Sequence, residues 1–65
     1  MFEASNDYVK LIRYIRILSI NENELHVKMH TYGLKIQGEG LYISYYDKFE
    51  IQVNGHITKI EYEYA

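Results

Sequence analysis

Apolar and polar residues alternate one by one along most of this 65-residue chain. A period of two fits half-buried strands and argues against helices. Leu25, Val27 and Met29 alternate with Glu24, His26, Lys28 and His30, and Leu34 and Ile36 with Lys35 and Gln37. Leu41, Ile43 and Tyr45 alternate with Tyr42, Ser44 and Tyr46, then Phe49, Ile51 and Val53 with Glu50, Gln52 and Asn54. Strands that bury one face and wet the other belong to antiparallel sheets.

Turn residues divide these runs. Asn21-Glu22-Asn23 separates residues 14–20 from 24–30, and Tyr32-Gly33, Gly38-Glu39-Gly40 and Tyr46-Asp47-Lys48 mark the next boundaries. Asn54-Gly55 is the strongest signal, because a type I′ turn needs positive φ at both central residues. A two-residue turn there sets Val53 opposite His56, Ile51 opposite Thr58, Phe49 opposite Ile60, and Glu50 opposite Lys59. A Gly38-Glu39 turn likewise sets Ile36 opposite Leu41 and Leu34 opposite Ile43. Both hairpins match apolar with apolar. Gly38-Glu39-Gly40 is no dinucleotide loop, since Leu41, Tyr42 and Ile43 follow where a third glycine and a helix would be needed.

Two readings compete at the N-terminus. Ser5-Asn6-Asp7 suits a helix cap, and Lys10, Arg13 and Arg16 recur every third residue between apolar pairs. The favoured expectation is a short helix over about Asn6–Ile12 with a strand from about Tyr14; the other is a strand starting near Tyr8. The fold expected is all-β, a small antiparallel meander, curled sheet or open barrel of five to six strands in one domain.

A chain this short buries only about 60% of the surface its unfolded form exposes. It has no cysteine for disulfides or thiolate metal sites. Small scaffolds without such staples often lean on another chain, so a protein partner or a homo-oligomer is expected. Seven basic against nine acidic residues give a net charge of -2, and only Lys10, Arg13 and Arg16 cluster, so nucleic acid is a disfavoured partner. No apolar run approaches the roughly 18 residues of a membrane span. The start MFEASNDYVK lacks a basic segment and apolar core, which makes the cytoplasm the expected location.

Residues with catalytic or ligating chemistry do not converge. His26 and His30 would share an ion on a helix, but on a strand they lie roughly 13 Å apart. Ser5, Ser19 and Ser44 have no nucleophile-elbow context. No catalytic residue, metal ligand or cofactor is assigned, and the chain is expected not to be an enzyme. The eight tyrosines are the other resource, since each ring offers apolar area and a polar tip. Tyr42, Tyr46, Tyr62 and Tyr64, with Glu61 and Glu63, form the candidate interaction surface.

The segment ILSINENELHVKMHTYGLKIQGEGLYISYYDKFEIQVNGHITKIEY, Ile17 to Tyr62, resembles the YabP/YqfC family of small sporulation proteins. TYGLKIQGEGLYI and IQVNGHITKIEY carry most of the likeness, which lies in glycines and aliphatics. The resemblance implies a non-enzymatic protein of spore assembly that works through protein contacts, with no catalytic residues to carry over. Two other expectations come from the residues. One is a phage-type inhibitor whose Ile60-Glu61-Tyr62-Glu63-Tyr64 run offers negative charge to a nucleic-acid-binding host protein. The other is a single-stranded nucleic-acid binder stacking bases on tyrosine.

Overall fold

A computed structural model describes residues 1–64 and is all-β. Its strands are β1 (Phe2–Ala4), β2 (Tyr8–Ile12), β3 (Arg16–Ile20), β4 (Glu24–Lys28), β5 (Gly33–Tyr46) and β6 (Glu50–Glu63). All pair antiparallel in one open sheet of order β1-β2-β6-β5-β4-β3. The N-terminus is strand where a short helix was expected. In β2, Val9 and Leu11 are buried between half-buried Tyr8, Lys10 and Ile12, a strand periodicity. Ser5 makes a turn instead of a helix cap, its Oγ accepting from the Asp7 N–H at 3.1 Å while its own N–H donates to the Tyr8 carbonyl.

β5 and β6 form one hairpin of two 14-residue strands closed by the turn at Asp47-Lys48-Phe49. The Asp47 carboxylate holds that corner, with Oδ1 accepting from the backbone N–H of Phe49 and of Glu50. The two glycine signals lie inside these strands and face each other. Gly38 pairs with Ile57 and Glu39 with His56, so neither Gly38-Glu39 nor Asn54-Gly55 is a hairpin turn. The pairings inferred from those turns do not form; Ile36 lies opposite Ile60, and Leu34 opposite Tyr62. Glu50 stands 3.9 Å from Lys10 rather than beside Lys59, and Lys59 lies 3.6 Å from Glu61.

What replaces the turns is a pair of bends. Register shifts between Gln37 and Gly38, and between Glu39 and Tyr42, insert extra residues on alternate strands. Such bulges raise the local twist and bend a strand without ending it. Buried positions on β5 run 34, 36, 38 and then 41, a parity slip that keeps Leu41 pointing inward. Gly55 (φ 145) sits at the crossing, where an added Cβ would come within 2.8 Å of the Gly40 carbonyl oxygen.

The bend folds the sheet onto itself. One layer holds β3, β4, residues 33–38 of β5 and 57–63 of β6. The other holds β1, β2, residues 41–46 of β5 and 50–54 of β6. Val9 and Leu11 of β2 join Leu25 and Val27 of β4 in a single buried cluster, although two strands separate them in the sheet. Met29, Leu34, Ile36, Leu41, Ile51, Val53 and Ile57 complete it. Residues fully buried without a helix to cover them must be covered by the opposite half of the sheet. Loops fasten the fold: Gly38 N–H donates to Asn23 O, Leu41 N–H to Glu22 O, Gly55 N–H to Asp7 O and Ile57 N–H to Asn6 O. The chain crosses between layers at Arg13, which adopts φ 61 and donates its N–H to the Phe49 carbonyl.

Candidate interaction surface

Because β4 pairs only with residues 33–37 of β5, the distal part of β5 has β6 as its sole strand neighbour among the described residues. That leaves a free edge after Leu41. Tyr42, Ile43, Tyr45 and Tyr46 along it are between 42% and 61% exposed, and Phe49 in the adjoining turn is exposed too. The alternation placed Leu41, Ile43 and Tyr45 together on a buried face, but only Leu41 is buried. A third register shift, with Ser44 as the extra residue between Ile43 and Tyr45, moves Tyr45 to the Gln52 face, while Ile43 keeps the face of buried Val53 but lies exposed at the free edge. Ser44 Oγ donates to Gln52 O at 3.3 Å and also meets Asn54 Oδ1. After the shift, Tyr42 lies opposite Asn54 and Tyr45 opposite Gln52, while Tyr46 lies opposite the buried Ile51.

Two tyrosines also fasten the hairpin end. Tyr45 Oη donates to Asp47 Oδ2 at 2.8 Å, and Tyr14 Oη donates to the Asp47 carbonyl at 3.1 Å. Burial first, then the neighbouring Tyr46 hydroxyl, push the Tyr14 phenol up to about 12. The Tyr45 hydroxyl, with the Phe49 and Glu50 N–H groups, holds the Asp47 carboxyl below its ordinary 3.8. A lowered folded value means that Asp47 stabilises the fold above the ordinary carboxylate range and ceases to do so as pH falls through its own value. Asp47→Ala is therefore expected to melt below the wild type at neutral pH, with the gap narrowing in acid. Thermal melts across that range check it, and a gap independent of pH would contradict it.

The other candidate residues lie at the opposite end of the hairpin and fall into two groups. Tyr62 and Tyr64 stack with centroids 6.1 Å apart, and Tyr62 also packs against Phe2 at 5.8 Å and Tyr32 at 5.4 Å. Tyr62 lies opposite the buried Leu34, so these rings cap the rim of the core. Glu61 and Glu63 alternate with them. Glu61 lies opposite Lys35 and near Lys59, and Glu63 meets His26 Nε2. Each acid thus has a basic neighbour. The six sequence candidates form no single surface: Tyr42 and Tyr46 share an edge, and Tyr62 and Tyr64 form a rim cluster. Ile43, Tyr45 and Phe49 join the first group. The signal of Ile43 and Tyr45 in the sequence is the charge-free run LYISYY, Leu41 to Tyr46.

Among the described residues no cavity opens, and no group of three His, Asp or Glu residues could hold a metal ion. No helix is long and apolar enough to cross a membrane. What the surface offers is backbone hydrogen bonding along a strand edge, flanked by aromatic and aliphatic side chains. In comparisons with protein-family models, curated proteins and solved structures, nothing matches this chain.

Proposed function

We propose that this chain is a non-enzymatic cytoplasmic protein that works through protein–protein contacts, with the distal edge of β5 as its contact surface. The observation that carries this reading is the row of exposed Tyr42, Ile43, Tyr45 and Tyr46 on an edge that has no outer strand among the described residues. Exposed apolar side chains gathered in one place are the usual mark of an interaction site, and tyrosine is enriched in such sites. Spore assembly is the setting suggested by the resemblance of residues 17–62 to the YabP/YqfC family. The inhibitor reading draws less support, because Lys35, Lys59 and His26 stand beside the acids it relies on.

The test is capture of partners from a lysate of the source organism on immobilised protein, wild type against Tyr42→Lys/Tyr45→Lys. Both side chains are exposed, so the double variant should keep its fold, as circular dichroism would show, while loss of the Tyr45–Asp47 hydrogen bond lowers its melting temperature. Proteins held by the wild type and lost by the variant are the expected outcome. Identical capture by both would remove β5 from the reading. Capture of single-stranded oligonucleotide that weakens steeply with salt would instead favour nucleic-acid binding.

A further inference from the structure

We propose that the outer edge of β3 is a second docking strand, which takes an extended acidic segment of a partner protein and sets one of its carboxylates between Arg16 and Lys28. The proposal does not depend on the β5 edge.

The edge is open. Among the described residues β3 ends the sheet and pairs only with β4. On such a strand alternate N–H and C=O groups point away from the sheet and can pair with an added strand. Ile15 continues the pairing upstream, its N–H donating to Lys28 O. Ile15, Leu18 and Ile20 are between 38% and 49% exposed along this edge. Leu18 is the extra residue at the register shift between Ile17 and Ser19, and a bulge re-aims the side chain it carries.

Charge selects the occupant. Arg16 lies directly opposite Lys28, and both are exposed. Ile17 packs against the core beside buried Val27, so the two cations share the opposite, outward face. Directly opposed side chains have Cβ atoms about 5 Å apart, where like charges destabilise a strand pair. Among the described residues neither cation forms an ion pair. The acid in their row, Glu63, stands beyond Gly33 on β6 and meets His26 instead. One carboxylate between Arg16 and Lys28 replaces a repulsion by two attractions.

That carboxylate comes from a different protein. The acids on this chain's own free β6 edge already have partners, Glu61 in Lys59 and Glu63 in His26. The aliphatic side chains beside the cations suit a polypeptide. A polynucleotide stacks its bases on aromatic rings, and β3 carries none.

Amide resonances of the isotope-labelled full chain, titrated at low salt with a short capped peptide of alternating Glu and Val, test the proposal. The expected result is saturable shifts over residues 15–20 and at Lys28, half-complete below about 1 mM. A capped peptide of alternating Lys and Val should leave these resonances in place. Arg16→Glu and, separately, Lys28→Glu should each weaken binding of the Glu–Val peptide about tenfold, a loss expected from reversing a charge in a complementary contact. Both side chains are exposed, so each variant should keep the wild-type circular dichroism spectrum. No shifts over residues 15–20 at about millimolar peptide, equal shifts with the Lys–Val peptide, or binding that survives either variant would each overturn the inference. So would tighter binding of a single-stranded oligonucleotide to the same residues, or the same shifts on concentrating the protein alone, which would assign the edge to nucleic acid or to a second copy.

Discussion

Gly38→Ala is expected to abolish the fold. A Cβ at this position would overlap the carbonyl oxygen of His56 and lie 3.1 Å from its carbonyl carbon. The obstacle is backbone of the paired strand, so no side-chain rotation relieves it. Moving β6 away would break the Gly38–Ile57 register at the bend on which both layers depend. Forcing extra carbon into a packed site commonly costs about 1–3 kcal/mol, and more where the neighbour cannot yield. A domain of this size has only about 3–10 kcal/mol in total. The variant should therefore lose cooperative thermal unfolding, and dispersed amide resonances should collapse. A Gly38→Ala protein that melts within a few degrees of wild type would show that β6 can move aside.

Ile36→Ala should be nearly as damaging for the opposite reason. Ile36 is fully buried and lies between Leu25 on β4 and Ile60 on β6. Removing its branched side chain leaves a cavity that two flanking strands cannot close, a change that typically costs about 2–5 kcal/mol. In a thin two-layer core that is a large part of the whole. Urea unfolding should show a midpoint far below wild type with an unchanged slope. A midpoint loss worth less than about 1 kcal/mol would mean that the layers close over the gap.

The alternation that announced strands was legible because each strand of a folded sheet still has one wet face. Leu25, Val27, Leu34, Ile36, Ile51 and Val53 are all buried, as their spacing required. The topology was not legible from Gly38-Glu39-Gly40 and Asn54-Gly55. Tight turns and bulges ask the same thing of the backbone, which is left-handed φ or room where a Cβ would stand. Gly55 meets that demand inside a strand. The parity slip from Gly38 to Leu41 separates the two cases only once the pairing is known.

The N-terminus misled for a related reason. Ser5 and Asp7 make the side-chain-to-backbone bond that caps helices, but the same bond also shapes turns. At the candidate interaction surface, Tyr42 and Tyr46 could be picked out as aromatics, while Ile43 and Tyr45 read as core. The single extra residue at Ser44 moved Tyr45 to the face opposite Ile43, and no local residue preference encodes it.

The last strand in sequence, β6, lies in the interior of the sheet, paired with β2 on one side and β5 on the other. During synthesis, residues 8–12 must therefore wait for residues 50–54 before their edge is satisfied. Contacts so distant in sequence make closure slow. Until β6 has left the ribosome, the nascent chain holds at most two short hairpins and β5, with its apolar face uncovered. For this protein, the interval between emergence of β5 and of β6 is when capture by a chaperone or by a neighbouring chain competes with folding.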